Sequence, residues 1–238
     1  MKISDCKVTL IDSMGTDLSV VNAARVSFDK ESFYEYDMDD PFVQYMNDKD
    51  IKLIKYLHTH NHWTPFAHTC LSFRIKAPIF IARQLAKHQV GLIWNEVSRR
   101  YVDSEPEFFV PKEWRKRANN IKQGSSNKLI TKLRYNSLDG TLETFEMQEQ
   151  IEDTIETIKY LYDNLLDSGV CPEQARMILP QNMMTEWIWT GSLYAFLRVC
   201  KLRLDPHTQK ETQDVVQDIA DVIAQKFPET WGVVMNTV

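Results

Sequence analysis

Glycine is scarce in this sequence: there are 7 among 238 residues, and they form neither a GxGxxG nor a P-loop pattern. Loops of that kind hold phosphates through backbone amides that approach the ligand closely. If this protein binds a nucleotide, side chains must hold the phosphates instead.

Paired cysteines and long apolar runs are lacking as well. Cys6, Cys70, Cys171 and Cys200 are scattered without a CxxC pair, which favours reduced thiols in a cytosolic protein. No apolar run approaches the roughly 18 residues that a membrane span needs. The first ten residues, MKISDCKVTL, do not resemble a signal peptide. We therefore expect a cytoplasmic protein without a membrane partner.

Positive charge is not in excess, because the formal net charge is −5. A general nucleic-acid-binding protein is thus disfavoured, and any anionic ligand must meet a local basic cluster. Hydrophobic residues make up 43% of the chain, which is enough for a sizeable core and excludes global disorder. No internal repeat or domain boundary is evident, so we predict a single domain over residues 1–238.

The periodicity predicts an α+β fold, helix-rich, with an antiparallel or mixed sheet. Strands are predicted at residues 6–12, 69–76 and 183–190. Helices are predicted at residues 17–28, 48–60, 78–89, 142–166, 171–180, 191–204 and 209–227. The pattern is weakest over residues 102–138, where ANNIKQGSSNK predicts a flexible excursion.

The stretch RQLAKHQVGLIWNEVSRRY, residues 83–101, mixes polar donors with large apolar residues. On the predicted helix over 78–89, Arg83 and Lys87 form one polar row, and Gln84 and His88 form a second. The following segment, VGLIWNE, is predicted to be a loop.

The donors of this stretch suit a phosphate-bearing aromatic ligand. Its cations can neutralise phosphate, its amides, histidine and serine can give directional hydrogen bonds, and Trp94 and Tyr101 can stack on a planar ring. The donors are Arg83, Lys87, Arg99, Arg100, Gln84, His88, Gln89, Asn95 and Ser98.

The histidines of HTHNHWTPFAH imitate the alternating ligands of a metal hydrolase. His58 lies at a predicted helix end, however, where residues two apart diverge by about 200°, and no complementary carboxylate motif accompanies it. We favour a solvent-exposed helix end for His58 and His60 and predict no metal site. The turn HWTPF would present His62 together with Thr64. For Cys200, in the basic segment RVCKLR, a buried small hydrophobe is favoured over a nucleophile.

Five segments together resemble the flavin-dependent thymidylate synthases: HWTPFAH, FRIKAPIFIARQLAKHQ, NEVSRRY, ARMILP and LRLDPHTQKE, in that order and at nearly the family spacing. The resemblance covers about residues 20–215. It implies an α/β fold that assembles as a homotetramer with active sites shared between subunits. It also implies conversion of dUMP to dTMP, with methylenetetrahydrofolate as carbon donor, NADPH as reductant and FAD as hydride carrier.

The resemblance implies roles for individual residues as well. The implied FAD-contacting positions are Ser27, His62, Thr64, Lys87, His88, Gln89, Glu96 and His207, and we add Ser192 and Arg198, which stand near the family's Asn-x-Arg-x-x-x-Asn contact, as candidates. The implied substrate-binding positions are Gln84, Glu96, Ser98, Arg99, Arg100, Arg176 and Arg203. Catalytic roles fall to Arg203, His62 and Ser98. An arginine beside the uracil ring can stabilise negative charge as C5 becomes nucleophilic, and neither Ser98 nor a cysteine need be a covalent nucleophile.

The chain departs from the family pattern on the flavin side. The family has Arg-His-Arg, seven residues and then Ser, whereas this chain has Lys-His-Gln at residues 87–89, eight residues and then Ser98. In place of the family's Asn-x-Arg-x-x-x-Asn contact, this chain has Ser192, Tyr194 and Arg198. We hypothesise that Arg198 restores the positive charge lost from the tripeptide.

For thymidylate synthesis the expected partners are dUMP and folate, and no nucleic acid is expected. Three rival functions stay open beside it. The first is a related C5 methylation or hydroxymethylation of dUMP, dCMP or UMP, because no residue reads the exocyclic group or the 2′ position. The second is a non-catalytic nucleotide- or RNA-binding protein, which would be colourless when purified. The third is a metal hydrolase, which chelation would inactivate.

Overall fold

The computed structural model describes residues 1–119, 124–136 and 140–235, and within them it mixes helix and sheet as the sequence predicts. Its α-helices are α1 (Asp17–Arg25), α2 (Asp48–Thr59), α3 (Ile79–Leu85), α4 (Met147–Asp167), α5 (Pro172–Ala175), α6 (Leu193–Arg203), α7 (Lys210–Lys226) and α8 (Pro228–Met235). Its strands are β1 (Lys2–Ile3), β2 (Lys7–Met14), β3 (Glu35–Tyr36), β4 (Gln44–Tyr45), β5 (Cys70–Pro78), β6 (Leu92–Glu96), β7 (Glu107–Phe108), β8 (Arg115–Arg117), β9 (Ser125–Leu129), β10 (Lys132–Asn136), β11 (Leu142–Glu146) and β12 (Met184–Ser192). Short 3-10 helices cover Val26–Phe28, Thr64–Ala67 and Arg176–Ile178.

A four-stranded antiparallel sheet, in the order β2-β5-β12-β6, forms the centre of the fold. In β5 the side chains of Leu71, Phe73 and Ile75 are buried, whereas Arg74 between them is exposed. On the exposed face, Arg74 Nη2 lies 2.5 Å from Glu186 Oε1 of β12. The alternation therefore gives the sheet one apolar face and one polar face.

Helices cover the apolar face of this sheet. In α7 the buried residues recur at the spacing of one helix face; they are Val215, Val216, Ile219, Ala220 and Ile223. Asp17 joins the start of α1 to the start of α8, because its buried carboxylate accepts hydrogen bonds at 2.9 Å from the backbone N–H groups of Glu229 and Thr230. These bonds satisfy free amides at the start of α8. None of the helices in the described ranges is long and apolar enough to cross a membrane.

Most long predicted elements are confirmed. The strands predicted at 6–12, 69–76 and 183–190 are β2, β5 and β12, and the helices predicted at 48–60, 191–204 and 209–227 are α2, α6 and α7. Cys200 is buried, as predicted. Burial raises the pKa of its thiol to about 12, which disfavours a thiolate nucleophile.

The predicted helix over 78–89 is wrong at its C-terminal end, because α3 stops at Leu85. The chain turns there: the N–H of His88 bonds to the carbonyl of Leu85 at 3.0 Å, and Gly91 adopts a φ of +77°. This left-handed conformation suits glycine and redirects the chain towards the sheet. Lys87 and His88 therefore lie in a turn, and the two polar rows predicted on one helix do not form.

Two further predictions are corrected in the same way. The segment predicted as the loop VGLIWNE contains β6, which pairs with β12 at the edge of the sheet. The long helix α4 begins at Met147 instead of about 142, because residues 142–146 form β11 and pair with β10.

The region predicted as a flexible excursion, residues 102–138, carries strands β7 to β10 in its described part. Residues 120–123 and 137–138 of this region lie outside the described residues. Its flexibility stays a prediction.

Candidate functional site

A cleft of about 1460 Å³ lies where the end of α6, the turn between α6 and α7, and the segments around residues 109–115 and 124–129 meet. Three of the predicted site residues line it: Gln84 from α3, Arg203 from the end of α6 and His207 from the turn. Side chains from two distant parts of the sequence, α3 and the segment from Arg203 to His207, therefore converge on one concave space, which is typical of a ligand site.

Arg203 is held in a fixed orientation at this cleft. Its Nε donates a hydrogen bond to Nε2 of His88 at 2.9 Å, and its Nη2 donates to the carbonyl oxygen of Gln84 at 3.2 Å. Burial lowers the pKa of His88, and the neighbouring guanidinium groups of Arg203 and Arg198 lower it further. His88 is thus kept neutral, as it must be to accept a hydrogen bond from an arginine.

His207 is oriented by Asp205 in the turn before α7. The backbone N–H of His207 donates to Asp205 Oδ1 at 2.8 Å, and its ring Nδ1 lies 3.0 Å from the same oxygen. Both contacts lower the pKa of the Asp205 carboxyl, and the hydrogen bond from the backbone N–H of His207 has the larger effect. Gln213 braces the turn by donating to the carbonyl oxygens of Asp205 at 2.8 Å and Thr208 at 2.9 Å. The imidazole therefore stands on a well-braced turn.

A second, smaller cavity of about 140 Å³ lies between α6 and the turn that follows α2, and His62 and Arg198 line it. Trp63 and Tyr194 also line it, with ring centroids 5.7 Å apart, and the guanidinium of Arg198 lies 5.9 Å from the Tyr194 ring centroid. The turn forms because Asn61 adopts a φ of +55°, after which the N–H of His62 bonds to the carbonyl of Leu57 at 2.8 Å. A turn therefore presents His62, but it is centred on Asn61, before the predicted HWTPF turn; Thr64 begins the 3-10 helix and does not line the cavity with His62.

The neighbouring histidines lie at the end of α2, but only His60 is solvent-exposed as predicted; the prediction is wrong for His58, which is half-buried and lines the small cavity with His62. His60 is exposed and its ring lies 4.1 Å from that of Tyr56. Burial lowers the pKa of His58, and the positive charge of Lys201 lowers it further. In the parts of the chain that the structure describes, no three His, Cys, Asp or Glu side chains are grouped so that they could hold a metal ion.

Glu96 ends the edge strand β6 and is anchored there. Its carboxylate accepts hydrogen bonds from Trp94 Nε1 at 3.1 Å and from Thr185 Oγ1 at 2.7 Å. Trp94 in turn stacks on Trp187 with ring centroids 4.4 Å apart. A carboxylate so fixed at a sheet edge is preorganised to accept hydrogen bonds from a ligand.

The remaining predicted site residues line neither the cleft nor the small cavity. They are Ser27, Thr64, Lys87, His88, Gln89, Glu96, Ser98, Arg99, Arg100, Arg176 and Ser192. Several have local partners: Ser98 Oγ accepts bonds from the backbone N and Nε of Arg100 at 3.3 and 3.4 Å, and Ser192 caps α6. One chain thus brings together only part of the predicted set.

The structure adds residues that the sequence interpretation did not name. Gln209 accepts a hydrogen bond from Gln84 Nε2 at 2.7 Å, and Asp205 orients His207. Both lie in LRLDPHTQKE, so that motif held the signal. Thr185, which holds Glu96, and Arg115, which lines the cleft, had no such signal because their contacts join distant segments.

The residues present fit part of a flavin dinucleotide. Arg198 and Lys201 line the small cavity beside the aromatic pair, and neither makes an ion pair with a carboxylate among residues 1–119, 124–136 and 140–235. Cations without a protein counter-ion next to exposed ring faces suit an anionic ligand that carries flat rings.

Comparison with known proteins places this geometry in context. The family described as thymidylate synthase complementing protein matches residues 9–229. The flavin-dependent thymidylate synthase of Thermosipho africanus is 36% identical over 222 residues, which cover 93% of this chain and 87% of that protein. The enzyme of the same description from Thermus thermophilus is 34% identical over 225 residues, covering 94% and 74%. Among solved structures, the UMP/dUMP methylase PolB from Streptomyces cacaoi bound with 5-Br dUMP is 28% identical with a TM-score of 0.76, over 99% of this chain and 97% of that one; it has also been solved with 5-Br UMP.

Proposed function

Because the chain belongs to the flavin-dependent thymidylate synthases, a family of methyltransferases, we propose that it converts dUMP to dTMP. Methylenetetrahydrofolate supplies the carbon, NADPH is the reductant and FAD carries the hydride. The reaction takes place in the cytoplasm, where the four free cysteines stay reduced.

The observation that carries this proposal is the fixed guanidinium of Arg203 at the wall of the cleft. Two of its nitrogens are committed to His88 and Gln84. Nη1 donates to no residue within the described ranges, so it is available to a ligand. A preorganised positive group beside the uracil ring stabilises the charge that develops when C5 becomes nucleophilic.

The remaining site residues bind and orient the reactants. Arg100 and Arg176 neutralise the nucleotide phosphate, and Ser98, Arg99 and Gln84 give directional hydrogen bonds.

On the flavin side, bound FAD supplies hydride transfer, and the protein positions it. His62, Arg198, His88 and His207 hold it on one chain. Thr64, Lys87, Gln89, Glu96, Ser192 and Ser27 complete the binding set.

We propose that these sites are completed in a homotetramer. Eleven of the predicted site residues lie outside both cavities of the single chain, and the segment after Ser27 exposes large apolar side chains. Phe28, Met38 and Phe42 are 77%, 98% and 94% exposed. Burial of such side chains against another subunit would be favourable. Light scattering on the purified protein tests the tetramer, and a monomer with full activity would contradict shared sites.

Arg203→Gln tests the proposed role of the guanidinium. Without the positive charge, turnover with dUMP should fall about 100-fold or more, as for removal of a preorganised electrostatic group. FAD content should change little, because Arg198 and His62 remain. Lys226→Gln removes an exposed cation at the far end of α7, outside both cavities, and is the control. Equal turnover in Arg203→Gln and the control would refute the role.

A second candidate is methylation of UMP. It is supported by the similarity to PolB, a UMP/dUMP methylase solved with both 5-Br dUMP and 5-Br UMP. Turnover of UMP at a rate comparable to that of dUMP would favour it.

A further inference from the structure

The side-chain amide of Gln84, at the wall of the cleft, has different surroundings at its two ends. Its Nε2 donates a hydrogen bond to Oε1 of Gln209 at 2.7 Å. Its Oε1 accepts no hydrogen bond from residues 1–119, 124–136 or 140–235. The oxygen and the NH2 group of an amide are similar in size, so the hydrogen bonds around them decide which end faces a ligand.

Gln209 is held at the start of α7 by its backbone. Its carbonyl oxygen accepts hydrogen bonds from the N–H groups of Thr212 and Gln213 at 2.9 and 3.0 Å. Its side chain does not cap the helix. The amide instead interacts with Gln84 on one side and with Glu211 on the other.

Glu211 can only accept hydrogen bonds. Arg115 Nη2 donates to its Oε1 at 2.7 Å, and Arg115 Nε donates to Ser125 Oγ at 2.7 Å. Burial acts to raise the pKa of the Glu211 carboxyl, but hydrogen bonds from its own backbone N–H, from Arg115 and from Gln209 outweigh burial and lower it. The carboxylate is therefore ionised at neutral pH and has no proton to donate.

This acceptor-only group determines the direction of both amides. Because Glu211 offers only oxygens, Gln209 is more stable with its NH2 group towards Glu211 and its Oε1 towards Gln84. Gln84 then turns its own NH2 group towards Gln209 and leaves Oε1 for the cleft. Reversal of either amide would set two acceptors against each other and lose a hydrogen bond.

Gln84 and Arg203 thus present opposite groups side by side. Arg203 Nη2 donates to the backbone carbonyl oxygen of Gln84 at 3.2 Å, and both side chains line the cleft. The wall offers a donor, Arg203 Nη1, next to an acceptor, Gln84 Oε1. Uracil carries the complementary pair, a carbonyl oxygen next to the N3–H group. In cytosine N3 carries no hydrogen, and an amino donor stands at C4.

We propose that Glu211 and Gln209 are positioning residues that make the site selective for uracil over cytosine, because they fix the Gln84 amide with its oxygen towards N3 of the base. This inference rests on the proposed function, which requires a pyrimidine nucleotide beside Arg203. With cytosine, Gln84 Oε1 would face the lone pair of N3 and Arg203 Nη1 would face the amino group, so neither would be paired. This contact reads the base and not the sugar, so it treats dUMP and UMP alike.

Glu211→Gln tests the proposal, because a glutamine there offers Gln209 either a donor or an acceptor and no longer fixes the amides. Calorimetry on the flavin-loaded, unaltered protein should give dUMP a Kd about 100-fold lower than that of dCMP, and this ratio should fall about tenfold in Glu211→Gln. Glu113→Gln removes a different carboxylate of the cleft and should keep the ratio. Equal ratios in the two variants would overturn the proposal.

An exchange of the two side chains separates positioning from folding. In the double variant Gln209→Glu/Glu211→Gln, position 209 carries the acceptor-only group, and the amide at position 211 donates to it. Gln84 is then fixed as before, so the ratio of the two Kd values should rise again although the ion pair with Arg115 is absent. A merely structural role of that ion pair would leave the double variant no more selective than Glu211→Gln, which would overturn the proposal.

Binding and turnover together separate this proposal from the proposed function. A preference for dUMP that depends on Glu211, in a protein that forms no dTMP, would refute thymidylate synthesis and leave the positioning role in place. Formation of dTMP with a Kd ratio that Glu211→Gln does not change would refute the positioning role alone. Equal binding of dUMP and dCMP by the unaltered protein would refute it as well.

Discussion

At the scale of single residues, the contact between Arg203 and His88 sets both the geometry and the pH response of the candidate site. His88 accepts from Arg203 Nε at 2.9 Å only while its Nε2 is unprotonated. Protonation would place a cation against two arginines and break this contact. Acid should therefore loosen the site before it unfolds the protein.

The pKa of His88 is lowered by burial, Arg203 and Arg198, so it lies below the value of about 6.5 for the unfolded chain. As pH falls through this window, the unfolded state binds the proton first, and stability is lost. The free energy of unfolding, measured by denaturant titration from pH 7.5 down to 5.5, should thus fall more steeply in the unaltered protein than in His88→Gln. The pKa of His58 is also lowered, but His58 is present in both proteins, so its contribution to the pH dependence cancels in the comparison. Parallel pH profiles would contradict this, because they would mean that the pKa of His88 is the same in the folded and unfolded states.

Arg198 is the residue expected to replace the charge missing at Gln89. Its guanidinium acts on His88 and lines the cavity that also holds His62. Arg198→Ala should weaken FAD binding about tenfold, by about 1–2 kcal/mol, as loss of a charge-assisted hydrogen bond does. Lys52→Ala, an exposed cation on α2, is the control. FAD affinity equal in the two variants, measured by flavin fluorescence, would remove Arg198 from the flavin site.

The sequence predicted these residues through motifs but could not predict their partners. Arg203, His207 and Gln84 were named, and the structure brings them to one cleft. Thr185 holds Glu96 across 89 positions of sequence, and Arg115 reaches Glu211 across 96. Contacts of this range depend on the packing of the whole chain, which periodicity does not contain.

At the scale of secondary-structure elements, the position of β6 depends on one close approach. A Cβ atom on Gly191 would lie 2.5 Å from the carbonyl oxygen of Gly91 and 2.5 Å from Leu92 Cδ2. β6 and β12 can therefore pair at this point only if residue 191 has no side chain. The same pairing carries Glu96 to the sheet edge.

Gly191→Ala should push β6 from β12 and destabilise the protein by about 1–3 kcal/mol, as overpacking does. Gly232→Ala is the matched control, because nothing lies within 4 Å of the added Cβ and alanine favours a helix by up to about 1 kcal/mol. Thermal unfolding of both variants checks this. A Gly191→Ala protein as stable as Gly232→Ala would show that the strands can separate without cost.

Elements with strong periodicity were predictable and those at sheet edges were not. β5 alternates buried and exposed residues, and α7 repeats its buried residues on one face, so both were found. α3 ends without a glycine or proline at its own C-terminus, and the turn that Gly91 completes brings β6 to its pairing with β12, which periodicity does not show. Likewise residues 142–146 continue the helical pattern of α4 but pair with β10.

At the scale of the whole molecule, the single chain brings together only part of the predicted site and exposes many large apolar residues. The two cavities contain five of the predicted residues, Gln84, Arg203, His207, His62 and Arg198. The motif order along the chain predicted the family, and the match over residues 9–229 confirms it. Assembly could be predicted only through the resemblance, since no periodicity in one chain specifies a second copy.

The most direct measurement is an anaerobic incubation of the purified protein with FAD, NADPH, methylenetetrahydrofolate and an equal mixture of dUMP, dCMP and UMP, followed by mass spectrometry of the nucleotides. Thymidylate synthesis predicts the mass gain of one methyl group on dUMP alone, with NADPH consumed. A gain on dCMP or UMP instead of dUMP, a hydroxymethyl mass, or unreacted nucleotides with NADPH still reduced would contradict it.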